Sequence, residues 1–225
     1  VVPHHYVPSA MIADMFSYLS KQKPEIIILI GPNHYEKGDR PILTSQYGWE
    51  TYTSKVAPNL AVIDALIKDG LVGLDESVLA REHSVGGLMP FIKHFIPDAT
   101  VVPLALKRNL SLAEISDFVA GLEEYARQPG TVIVASVDFS HYLALAAAEA
   151  KDKITLDLMV THDYEKILAL NNDYMDSPPS IVAIFKTMDL LGIKDFQLIG
   201  HNNSGWLNHD PYGETTSYFT MAFFK

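Results

Sequence analysis

Short β-branched runs alternate along the chain with longer stretches whose apolar residues recur at helical spacing. Val1-Val2, Glu25 to Ile30, Ala99 to Leu106, Thr131 to Ser136 and Phe196 to Ile199 read as strands buried on both faces, being apolar without alternation. Between the first two, Met11, Ile12, Met15, Phe16 and Leu19 mark one face of a helix beginning near Ser9. Ser111-x-x-Glu114 is a capping box ahead of Ile115, Phe118, Val119, Leu122 and Tyr125, and Gln128-Pro129-Gly130 ends that helix. Ser177 and Pro178 supply an N-cap and a first-turn proline for a helix carrying Ile181, Ile184, Phe185, Met188 and Leu191, closed by Gly192. Pro41 to Tyr47 and Ser217 to Phe224 alternate less cleanly and predict further strands that need not run parallel to the rest. The pattern predicts an α/β chain, one domain over residues 1–225, folded as a three-layer α/β/α sandwich with a mostly parallel, mixed central sheet. In such a sheet the ligand site lies beyond the carboxyl ends of the parallel strands.

Composition narrows the function. The 17 Lys and Arg against 27 Asp and Glu leave a formal net charge of −10, which repels phosphate backbones and argues against a nucleic-acid partner. With no cysteine the chain has no disulfide framework, thiolate nucleophile, iron–sulfur ligand or cysteine-zinc site of its own, which fits a reducing, cytoplasmic setting. Apolar runs such as Ile26 to Ile30 fall far short of the roughly 20 residues that span a bilayer, so no membrane association is expected. No signal peptide is visible, and Val1-Val2-Pro3 reads as the end of a strand whose true start lies upstream. Gly-rich phosphate loops and the Gly-x-Ser-x-Gly elbow are missing, which sets aside nucleotide cofactors and serine hydrolysis.

The nine histidines are not scattered evenly. His4 and His5 follow Val2-Pro3, His34 follows Ile30-Gly31-Pro32-Asn33, His141 follows Ser136-Val137-Asp138-Phe139-Ser140, and His201 follows Ile199-Gly200. Four of the expected strands thus discharge into a histidine at one sheet edge, where convergent imidazoles suggest a metal. His83 lies in Glu82-His83-Ser84, where helix capping explains the acidic residue equally well. His94 and His162 read as ordinary helix-surface residues. Carboxylates near the edge are Glu82, Asp138, Asp210 and Glu214, none at a spacing that settles its role. Two histidines and a carboxylate on one face of an ion suit non-haem iron(II), and the same set can hold catalytic zinc.

Pro3-His4, Gly31-Pro32-Asn33-His34, Arg81-Glu82-His83-Ser84 with Leu88-Met89-Pro90-Phe91, Ser136-Val137-Asp138-Phe139-Ser140-His141-Tyr142, and Asn203-Ser204-Gly205 before a strand with Ser217-Tyr218 together resemble the Memo family, also known as AmmeMemoRadiSam system protein B. The resemblance implies a fold similar to the class III extradiol dioxygenases, which hold iron(II) with two histidines and a glutamate. It makes His4 and His34 metal ligands, His141 an acid/base or additional ligand, and Asp138 a residue that lines the site or orients His141. The chain departs from the family pattern in two places. Val85-Gly86-Gly87 follows Ser84 where a further acidic residue is frequent, and Trp206 stands where members tend to place a cysteine or aspartate. Glu214 and His209 are the nearest substitutes for that ligand, with Asp210 or His141 as the others; the remaining alternative is that metal binding is weak or lost.

The expectation is therefore a divalent-metal protein, iron(II) favoured with zinc or copper as alternatives, carrying redox or dioxygenase-like chemistry on a small molecule. His141, Asp138, His83 and Glu82 would be its catalytic groups, and His4, His34, His141, Glu214 and His209 its ligand candidates. Two other readings stand beside it. One is zinc-dependent hydrolysis; the other is a binding module that uses a degenerate pocket for a peptide or a partner protein, including partners within the AmmeMemoRadiSam system. Whether the protein is an enzyme stays open at this level.

Overall fold

The computed structural model describes residues 1–224. Its first half runs α1 (Ser9–Ser20), β1 (Ile26–Pro32), β2 (Ile42–Thr44), β3 (Trp49–Glu50), β4 (Lys55–Val56), α2 (Leu60–Lys68), β5 (Gly73–Leu74), α3 (Glu76–Leu79), α4 (His83–Gly86) and α5 (Met89–Phe95). Then follow β6 (Thr100–Leu106), α6 (Leu112–Ala126), β7 (Thr131–Ala135), β8 (Phe139–Leu143), α7 (Leu145–Val160), α8 (Tyr164–Leu168), α9 (Pro178–Leu190), β9 (Phe196–Asn203), α10 (Ser204–Leu207) and β10 (Thr215–Phe223). Among these residues no helix is long and apolar enough to cross a membrane.

The main sheet has five strands in the order β5-β2-β6-β1-β7. β1 is parallel to β6 and β7, whereas β2 runs antiparallel to β6, so the sheet is mixed and mostly parallel. Its central strands are apolar on both faces because helices cover both. Ile28 and Ile30 of β1 with Val102 and Leu104 of β6 pack in one core with α2, α6 and α9. Ile27, Leu29 and Val101 pack in a second core with α1, α3, α4 and α5. The capping box at Ser111 and Glu114 forms, and Ser177 accepts a hydrogen bond from Ser180 N–H to start α9.

Two strand assignments need correction. Phe196 to Ile199 belongs to β9, which pairs antiparallel with β10 in a separate three-stranded sheet of order β8-β10-β9. It is an edge strand, largely exposed, so its apolar run does not mark a position buried on both faces. Val1-Val2 forms no full strand either, but joins the two sheets. Val2 N–H donates to Ala135 O at 2.9 Å, Val137 N–H donates to Val2 O at 3.0 Å, and Met221 N–H donates to Val1 O at 3.1 Å. This seam delivers Pro3 and His4 directly to the carboxyl edge of β1 and β7.

Candidate metal centre

Four chain segments meet at that edge: the turn after Val2, the loop after β1, the N-terminus of α4, and the connection from β7 to β8. A fifth, the loop leading into α9, closes over them. Gly31 makes the approach possible, because a Cβ there would lie 2.7 Å from Ser84 Oγ. Ser84 Oγ instead donates to Pro32 O at 2.9 Å, which fastens α4 beside the end of β1.

The hydrogen bonds fix which nitrogen each histidine offers. Ser136 Oγ donates to Ser84 O at 2.6 Å, so it accepts from His4 Nδ1–H at 3.2 Å. His34 Nδ1–H donates to Glu82 Oε1 at 2.7 Å, and His34 N–H donates to Glu82 Oε2 at 2.9 Å. With both Nδ1 atoms engaged, both Nε2 atoms point inward, and both meet Asp176. His4 Nε2 lies 3.2 Å and His34 Nε2 3.6 Å from Asp176 Oδ2. The ring centroids of His4 and His34 are 5.2 Å apart. His83 stacks on His34 at 4.2 Å, and one nitrogen of each of these three rings lies within 4.8 Å of the others. His4, Asp138 and Asp176 form a second such group.

Several polar atoms in this buried cluster lack a hydrogen-bond partner: His4 Nε2, Asp138 Oδ2, Asp176 Oδ1 and His141 Nδ1. Asp138 Oδ1 is satisfied, accepting His4 N–H at 3.1 Å, while Oδ2 lies 2.5 Å from His5 Nδ1 and 3.5 Å from His4 Nε2 without hydrogen-bond alignment. Burial opposes charge on His4, but the carboxylates of Asp138 and Asp176 outweigh it and raise its pKa. Burial likewise opposes charge on His34, yet the Asp176 carboxylate at 3.6 Å and the hydrogen-bonded Glu82 carboxylate push it up to about 10. For Asp176, burial is overcome by His4 and His34, which hold the carboxyl well below the usual carboxylate range. Burial and then the positive charge of His34 and His4 lower His83, and burial lowers His141 despite Asp176 and Asp138. The edge thus holds two histidines, His4 and His34, whose affinity for a proton is raised, beside two, His83 and His141, in which it is lowered.

A family model described as "Memo-like protein" matches residues 1–222. The chain belongs to the Memo family. A MEMO1 family protein of Caldivirga maquilingensis is 30% identical over 247 residues, covering 100% of this chain and 82% of that one. Another, from Pyrobaculum aerophilum, is 28% identical and covers 100% and 83%. The solved structure of an uncharacterized Escherichia coli K12 protein superposes with a TM-score of 0.61 at 13% identity, covering 92% of each chain, and shares the fold.

Against the Memo resemblance, the expected residues divide. His4, His34, His83, Glu82 and Asp138 are brought together. His141 lies in β8 near His5, their rings 6.5 Å apart. No hydrogen bond joins Asp138 to His141; Asp138 Oδ1 accepts His4 N–H and Oδ2 lies beside His5. Glu82 Oε1 accepts from His34 Nδ1–H and Ser84 N–H and Oε2 accepts from His34 N–H, so its carboxylate orients His34 and caps α4. Glu214 and His209 are exposed, and neither joins a ligand-forming group among the described residues. Asp210 Oδ1 accepts Gly213 N–H in a turn, Trp206 donates its indole N–H to Glu149, and His201 pairs with Asp152 at 2.8 Å. The carboxylate that faces both His4 and His34 is Asp176. In the sequence, Asp176-Ser177-Pro178-Pro179 reads only as a helix start. The available signal was that helix N-termini in such sandwiches lie at the carboxyl edge of the strands.

Proposed function

We propose that this Memo-family protein binds one divalent cation, iron(II) favoured, through His4 Nε2, His34 Nε2 and the Asp176 carboxylate, and carries redox or oxygen chemistry on a small molecule. The observation that supports it is the convergence of two oriented Nε2 atoms on one carboxylate oxygen in a geometry that makes no proper hydrogen bond at His4. Ligands bound at about 2.1 Å and about 90–110° from each other stand about 3.0–3.4 Å apart, near the two nitrogen–oxygen distances of 3.2 and 3.6 Å to Asp176 Oδ2. Two imidazoles and a carboxylate, with no sulfur, form the donor set typical of non-haem iron(II) with open positions.

The bound ion would supply charge that polarises substrate oxygens and open positions for oxygen. The chain's own residues do the rest. Glu82 and Ser136 fix the tautomers of His34 and His4, as outer hydrogen bonds do in many metal sites. His141, kept neutral by burial and with Nδ1 unpartnered, is suited to accept a proton from a substrate hydroxyl and return it. His83, also lowered and half-exposed, stands at the mouth as a second proton acceptor or an added ligand.

Protons and the cation compete for the same nitrogens. At neutral pH His34 holds a proton that binding must expel, so affinity rises with pH. Anaerobic titration with Fe(II), and with Zn(II) in parallel, is expected to show log affinity rising by about one unit per pH unit for each proton displaced. His34→Ala is expected to lose stoichiometric binding. A flat pH profile, or full cation content in that variant, contradicts the assignment.

A further inference from the structure

Asp176 sits in the loop between α8 and α9. Its Oδ1 has no partner, and its Oδ2 faces His4 Nε2 and His34 Nε2 and accepts one backbone hydrogen bond, from Asp138 N–H at 3.3 Å. Where the carboxylate stands relative to those rings depends on the backbone of the loop, which is fastened on two sides. Toward β8, Ser140 N–H donates to Tyr174 O at 3.0 Å, His141 N–H to Asn172 O at 3.2 Å, and Asp176 N–H to Asp138 O at 3.1 Å. These bonds set Asp176 relative to Asp138 and, through it, to His4.

The other side is held by one side chain. Arg108 Nη1 donates to Asp176 O at 2.9 Å and to Asn172 Oδ1, and Nη2 donates to Leu170 O at 3.1 Å and Met175 O at 3.3 Å. Arg108 N–H in turn donates to Glu36 Oε1 at 2.9 Å, two residues past His34, and Lys107 Nζ donates to Gly38 O at 2.6 Å in the same loop. A single residue after β6 thus grips both the His34 loop and the Asp176 loop. Resting on the function proposed above, we infer that Arg108 is a positioning residue that sets the Asp176 carboxylate against His34 Nε2 across the cation site. A planar guanidinium reaches four acceptors from a fixed fork, which a lysine ammonium cannot do.

The test is a Co(II) titration of the whole chain, read by affinity and by the visible absorption of the bound ion, which reports its ligand number and geometry. Arg108→Lys keeps the charge and is expected to weaken Co(II) binding by about 10–100-fold, the cost usual for an outer-shell partner, with a changed spectrum. Asn172→Ala removes one acceptor, keeps Arg108 in place, and is expected to weaken binding several-fold; it carries the test if Arg108→Lys fails to fold. Wild-type protein that binds Co(II), with variants that match its affinity and spectrum, overturns the role of Arg108 and leaves the cation site standing. Wild-type protein that takes up no Co(II) overturns the proposed function, and this inference with it.

Discussion

Asp176→Asn is expected to weaken divalent-cation binding by on the order of a hundredfold or more, beyond the range seen for outer-shell partners, while the protein still folds. The amide matches the carboxylate in shape and can still accept Asp138 N–H, so the loop keeps its anchor. What is lost is the negative charge that two histidines face at 3.2 and 3.6 Å. A neutral amide oxygen is a poor ligand beside a carboxylate, and the remaining imidazoles hold the ion less well. The variant has a second signature without any cation. Asp176 contributes to the raised pKa of both His4 and His34, so both are expected to move down toward or below the ordinary histidine value. Imidazole NMR titration of the cation-free variant reads this directly. Unchanged affinity together with unchanged histidine titration rules out Asp176 as the anionic partner of the two rings.

Glu82→Ala is expected to be the most destabilising single change at the edge. The Glu82 side chain is fully buried and accepts from His34 Nδ1–H, His34 N–H and Ser84 N–H, the last as the N-cap of α4. Truncation leaves those donors without an acceptor and His34 without the nearer of its two carboxylate partners. Breaking a buried charge pair from one side costs about 3–5 kcal/mol. With a urea m-value of about 2 kcal/mol/M, the unfolding midpoint drops by about 1.5–2.5 M. Cation affinity falls as well, since His34 loses the bond that aims its Nε2. A midpoint within about 0.3 M of wild type, on the same scale, contradicts the idea that Glu82 holds the loop and the helix together.

Much of this fold is legible in the sequence because the burial of its central strands is two-sided. Ile26 to Ile30 and Thr100 to Leu106 carry no alternation, and the structure covers both of their faces with helices. β9 defeats the same rule, because an exposed edge strand can carry Phe196, Leu198 and Ile199 without being buried. That His4 and His34 meet at one edge was legible from their places after strands. The carboxylate that faces them was not, because Asp176 is brought to the edge by the start of a helix and not by the end of a strand. Glu214 and His209 lie near Trp206 in sequence, but both are exposed. The role of Glu82 was hidden for a related reason: a residue in a helix-cap position can spend its second oxygen on a loop 48 residues away.

The most direct test is anomalous diffraction, collected on both sides of the iron and zinc edges, from crystals of protein purified without oxygen and supplied with Fe(II). One peak bonded at about 2.0–2.2 Å to His4 Nε2, His34 Nε2 and an Asp176 oxygen is the predicted result. A peak that leaves out Asp176 or either Nε2, or no peak between these residues at full Fe(II) occupancy elsewhere on the chain, contradicts the account.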